Sequence, residues 1–101
     1  MSNLIKVAEA GSIPENSGIE VEVNGRPVAL FNKGGEYLAV DNACPHEGEA
    51  LSQGELIGEH VECAYHQWRV NLKTGETKEI PGYFIPVFKV KVIDNDIYIE
   101  V

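Results

Sequence analysis

Two short segments carry the residues best suited to chemistry, Cys44-Pro45-His46 and Cys63-Ala64-Tyr65-His66. Each offers one thiolate and one imidazole, as C-x-H and then, after 16 intervening residues, C-x-x-H. Together they present two sulfurs and two nitrogens to a metal. A single zinc ion accepts that donor set, but zinc fingers place the two Cys on one element and the two His on another. Here each element is mixed. Mixed pairs suit a dinuclear cluster, in which one Cys from each segment binds one iron and one His from each segment binds the other. His60 lies three residues before Cys63 and matches no ligand position, so it reads as a surface or strand residue.

Elements that position these segments follow from the pattern around them. Ile19, Val21 and Val23 alternate with Glu20 and Glu22, as a half-buried strand does. Asn24-Gly25 is a hairpin signal, with Val28 to Phe31 as the return strand. Lys33-Gly34-Gly35 turns the chain into Glu36 to Val40, and Leu4 to Val7 is a first strand. Phe88, Val90 and Val92 alternate with Lys89 and Lys91. Asp94-Asn95-Asp96 then turns into a closing strand, Ile97 to Val101. Between these, Glu59 to Cys63 reads as a strand. Trp68 to Leu72 and Thr77 to Ile80 read as a hairpin about Lys73-Thr74-Gly75, and Pro81-Gly82 opens another loop. No helical stripe is present. Short strands between Gly, Asn, Asp and Pro turns predict an all-β chain, an antiparallel sandwich or barrel. Residues 1–101 read as one domain, with about 41–83 as an insert on a β framework.

The two segments and their surroundings resemble the Rieske [2Fe–2S] proteins, and in particular the ferredoxins that feed electrons to bacterial ring-hydroxylating oxygenases. The resemblance rests on Cys44-Pro45-His46-Glu47-Gly48, on Cys63-Ala64-Tyr65-His66-Gln67-Trp68 and on the strand framework. It implies the Rieske fold, an antiparallel β-sandwich framework with a small cluster-binding subdomain. It also implies one Rieske-type cluster, with Cys44 and Cys63 on the buried iron and His46 and His66 on the outer one.

Several positions depart from relatives. High-potential Rieske proteins of respiratory and photosynthetic complexes carry an extra Cys in each cluster loop, joined as a disulfide; Glu49 and Tyr65 stand there here. Those proteins also place a Ser and a Tyr two and four residues after the last His, where this chain has Trp68 and Val70. Gln67 replaces a Gly common after the last His. Trp68 reads as a core residue beside the loop, and Pro81-Gly82-Tyr83 as a loop near the cluster. Hydrogen bonds to sulfur favour the reduced cluster and nearby carboxylates oppose it. Pro45 has no N–H to donate. The expected potential is therefore low, roughly −150 mV.

Charge narrows the partners. The chain of 101 residues is 44% hydrophobic and carries a net charge of −8. That argues against disorder, nucleic-acid binding and docking on anionic membranes. Residues 41–66 hold six acids and no Lys or Arg. This acidic segment, with Glu47 and Glu49 as docking charges, suits partners with basic patches. The expected function is one-electron transfer from a flavin-dependent reductase to a terminal oxygenase, without catalysis by the chain itself. The alternative is a subunit of a larger oxidoreductase, such as the small subunit of nitrite reductase. A full oxygenase subunit, with its second iron domain, is not expected in a chain of this length. Neither a leader nor a membrane span is expected, the cysteine usage suits the cytoplasm, and a monomer is the default expectation.

Overall fold

A computed structural model describes residues 3–42, 50–63 and 68–101. In chain order the strands are β1 (Leu4–Glu9), β2 (Ser17–Val23), β3 (Arg26–Lys33), β4 (Glu36–Asp41), β5 (Glu55–Ile57), β6 (His60–Glu62), β7 (Arg69–Asn71), β8 (Val87–Ile93) and β9 (Asp96–Glu100). One 3-10 turn, Leu51–Gln53, precedes β5 and is the only helical element among the described residues. The chain is all-β, as its alternation predicts. No described helix is long and apolar enough to cross a membrane.

The strands form two antiparallel sheets. The larger runs β1-β9-β8-β4-β3-β2, and the smaller runs β5-β6-β7. Its hairpins are set by local chemistry. Asn24 and Gly25 both take positive φ between the paired residues Val23 and Arg26. That two-residue turn matches the natural twist of the flanking strands. Asp94 and Asn95 do the same between Ile93 and Asp96 with no glycine at all, a conformation that Asn and Asp tolerate better than other side chains.

The larger sheet curls. Ile5 and Val7 of β1, Ile19 and Val21 of β2, Leu30 of β3 and Ile97 and Ile99 of β9 all pack into one core. Strands at the two edges of the sheet therefore face each other across it. Strands β4 and β8 pair through only Ala39–Phe88 and Val40–Val87. The outer face of β3 and β4 carries Ala29, Phe31, Leu38 and Val40. Against it pack Leu51, Leu56, Val61, Cys63, Trp68, Val70, Leu72 and Ile85, which form a second core beneath the small sheet.

Two short elements differ from the sequence-based expectation. Strand β5 is three residues long, below the length at which alternation is visible. Residues 77–80 are not a strand. Only Thr77 bridges to Val70, and Lys78 N–H donates to Arg69 C=O at 2.9 Å. The chain then enters a turn in which Tyr83 N–H donates to Ile80 C=O at 3.0 Å, with Pro81 and Gly82 (φ +88°) at its centre. Pro81 lacks the N–H that a continuing ladder needs, and Gly82 takes the positive φ that a type II turn demands.

Thr77 is fully buried, and its Oγ1 has no hydrogen-bond partner. It faces the same side as Val70, into the second core. Such a hydroxyl loses its hydration without compensation. Replacing it by the isosteric Thr77→Val is expected to raise stability by about 1 kcal/mol, read as a higher urea midpoint with an unchanged slope.

Candidate metal centre

Of the four candidate ligands, Cys63 is described; Cys44, His46 and His66 lie outside the described residues, with Glu47, Glu49, Tyr65 and Gln67. Cys63 follows the last residue of β6. It continues the inward side of Val61, is only 1% exposed, and is a free thiol in the second core. A thiol held among Val61, Val70 and Leu51 is shielded from water and from oxidation. That environment fits a thiolate ligand to the buried iron of a cluster, because it keeps the bond dry.

Both segments spring from anchored flanks. Around the second, Cys63 N–H donates to Trp68 C=O at 2.7 Å, so the chain leaves and returns at one point. Around the first, Leu51 N–H donates to Asn42 C=O at 2.7 Å, and Ser52 N–H donates to Asn42 Oδ1 at 2.8 Å. The two flanks also touch. A Cβ built on Gly54 would collide with the carbonyl oxygen of Glu62 and lie 2.8 Å from Val61 Cγ2. Only a residue without a side chain lets the 3-10 turn pack so closely on β6 beside Cys63.

Charge around the site is more balanced than the sequence suggests. Glu62, next to Cys63, pairs with Arg69 Nε at 3.1 Å across the β6–β7 ladder. Asp41 pairs with Arg26 at 3.4 Å and Glu59 with Lys73 at 3.5 Å. Lys73–Glu59 is exposed, while Asp41 and Glu62 are half-buried; such partly solvated pairs contribute modestly to stability. Locally, each places a cation beside a carboxylate of the acidic segment. Glu79 adds a carboxylate at the base of the second segment, accepting the Arg69 N–H at 2.9 Å.

His60 is a half-buried strand residue, as its position in the sequence implies. With Asn71, Glu76, Thr77, Lys78 and Pro81 it lines a hollow of about 270 Å³. His60 pairs with Asn71, two ladder positions beyond the Glu62–Arg69 pair, away from Cys63. Trp68 is half-buried against the second core and Val70 is fully buried in it, so both are packing residues. Ile80, Tyr83 and Phe84 are exposed on and after the Pro81-Gly82 turn.

Sequence reasoning did not single out Asn42, Gly54 or Arg69. In the sequence Gly54 is a glycine between Gln53 and Glu55, and the carbonyl it accommodates is a tertiary neighbour. Gly54→Ala is expected to cost about 2 kcal/mol through overpacking, seen as a lowered urea midpoint. A midpoint equal to that of the parent would show that the junction can open without strain.

Comparison with known proteins agrees with this architecture. The sequence profile of the Rieske [2Fe-2S] domain matches residues 3–89. The ferredoxin component of the naphthalene 1,2-dioxygenase/salicylate 5-hydroxylase systems of Ralstonia sp is 36% identical over 97 residues, covering 90% of this chain and 93% of the relative. The ferredoxin solved in complex with the oxygenase of carbazole 1,9a-dioxygenase superimposes with a TM-score of 0.85 at 28% identity, covering 95% of this chain and 91% of that one. A nitrite reductase small subunit from Mycobacterium tuberculosis shares the fold, with a TM-score of 0.93 at 21% identity over 100% of this chain and 96% of that one. With a free, buried Cys63 where the second motif begins and a Rieske profile along most of its length, the chain belongs to the Rieske [2Fe-2S] domain family and carries one cluster of that type.

Proposed function

We propose that this chain is the ferredoxin component of an oxygenase system, a one-electron shuttle between a flavin-dependent reductase and a terminal oxygenase. The observation that carries this reading is the match over 90% of the chain to a ferredoxin component at 36% identity. The nitrite reductase subunit shares the fold at lower identity, which bears on architecture alone. Residues 1–101 act as one domain, with about 41–83 as the cluster-binding insert.

Cys44 and Cys63 hold one iron, and His46 and His66 the other. When bound, the cluster supplies a one-electron redox couple. The protein contributes the rest. Cys63 offers a thiolate from inside an apolar core, which excludes water from the metal–sulfur bond. Hydrogen bonds at both flanks fix where each ligand segment begins and ends. Arg69 offsets the charge of Glu62 beside the site. With Trp68 and Val70 at the positions of the hydroxyl donors, no side-chain O–H there reaches the cluster sulfurs. Such a carrier acts as a cytoplasmic monomer. Electron transfer needs only a small, transient interface, and an acidic surface meets basic patches on its partners.

Three measurements test this reading. Cys44→Ser, His46→Ala, Cys63→Ser and His66→Ala are each expected to lose the red-brown colour and cluster iron that the parent protein shows. Retention of both by any one variant removes that residue from the ligand set. A redox titration of the parent is expected near the low end of the Rieske range, roughly −150 mV, and a clearly positive value overturns the low-potential assignment. The rate of reduction by the cognate reductase should fall as ionic strength rises; a flat profile contradicts charge-guided docking.

A further inference from the structure

Asn42 is the last described residue before the first ligand segment, and it is buried, with only 5% of its surface exposed. Among the described residues it makes four hydrogen bonds. Its N–H donates to Pro27 C=O at 3.3 Å, which ties it to the start of β3. Its C=O accepts from Leu51 N–H at 2.7 Å and its Oδ1 from Ser52 N–H at 2.8 Å, which tie it to the chain beyond the segment. Its Nδ2 donates to Glu20 Oε1 at 2.7 Å, which ties it to β2. One residue thus joins both flanks of residues 43–49 to two framework strands. Glu20 also decides which way the amide points, because a carboxylate accepts only from the nitrogen side.

We propose that Asn42 is the positioning residue of the first ligand segment, held in its working orientation by the Glu20 carboxylate. This inference rests on the reading of Cys44 and His46 as ligands. An amide meets both demands at once, accepting from the Ser52 N–H while donating to Glu20. Alanine meets neither. Aspartate still accepts from Ser52 but turns a second acceptor oxygen towards a carboxylate, so the donor is lost and like charges oppose each other.

The reciprocal exchange isolates the contact. Glu20→Gln alone keeps an acceptor oxygen for Asn42 and is expected to behave as the parent. Asn42→Asp is expected to lose its cluster to an iron chelator roughly fivefold faster or more, and to broaden the spectrum of the reduced cluster in electron paramagnetic resonance. Asn42→Asp combined with Glu20→Gln restores a donor–acceptor pair in reversed polarity, with Gln now donating to Asp, and is expected to recover the parental rate and line shape. A purely structural role would lower the urea midpoint without that selective spectroscopic recovery. The inference falls if Asn42→Asp matches the parent in both readouts, or if the double variant stays like Asn42→Asp. Should Asn42→Asp fail to fold, Glu20→Ala removes the orienting partner from an exposed strand position; a parental rate of cluster loss in that variant overturns the inference equally. Cys44→Ser separates the two levels. If it loses the cluster while the Asn42 and Glu20 variants leave it unchanged, the ligand assignment stands and only the positioning role fails.

Discussion

Strand β3 has no solvent face along its centre, and the rest of the structure depends on that constraint. Val28 and Leu30 point into the core of the curled sheet, while Ala29 and Phe31 point into the core beneath the small sheet. All four are fully buried. A slip of one residue would exchange the two sets, placing Phe31 where Leu30 sits and Ala29 where Val28 sits, and would unfill both cores together. The neighbouring strand repeats the division, with Leu38 and Val40 on one side and Tyr37 and Ala39 on the other. The register of the framework is therefore fixed by the same residues that form the floor of the metal centre. Gly18, opposite Phe31, leaves room for that ring, since a Cβ there would fall 2.5 Å from its edge.

On this floor the ligand segments are held at their ends. Closing a short segment costs conformational entropy, and a bound metal must otherwise supply all of it. Here part of that ordering is already present in the fold, through the Cys63–Trp68 bond at one segment and the Asn42–Leu51 and Asn42–Ser52 bonds at the other. The contact of Gly54 with the Glu62 carbonyl brings the two anchored flanks side by side. A carrier that must cycle between two charge states without rearranging gains from such support, because a site on rigid elements keeps its ligand geometry.

Much of this was legible in the sequence because it is local. Alternation along β2, β8 and β9 and the Asn24-Gly25 turn are patterns of neighbouring residues, and they define the framework without reference to packing. The double Cys–His motif is likewise local, and its reading as a metal site rests on donor type and spacing. What was not legible is relational. The three residues of β5 carry no period of their own and become a strand only by pairing with β6. Thr77 to Ile80 contain β-branched residues at both ends, yet Pro81 and the turn at Gly82 end the ladder after a single bridge. Asn42 looks like any polar residue at a strand end. Its importance lies in Glu20, 22 positions earlier, and in Ser52, ten positions later.

The expected low potential draws on both charged and neutral surroundings. In the sequence it rests on a run of carboxylates without a cation, on Pro45 without an N–H and on Trp68 and Val70 where relatives carry hydroxyl donors. The fold supplies cations from elsewhere, Arg26 to Asp41, Lys73 to Glu59 and Arg69 to Glu62, so the nearest described acid is no longer a bare charge. Exposed pairs are screened by water and salt and offset one another at short range. The neutral terms are more durable. Val70 is fully buried in the same core as Cys63, so the place of one hydroxyl donor is filled by methyl groups that neither donate to sulfur nor admit water that would. With a cluster held at Cys63, an added electron would find little polar stabilisation in such surroundings, whatever the salt concentration. On the proposed ligand set, a low potential would come from the apolar core around Cys63 more than from the acidic surface, which would act chiefly on how partners approach.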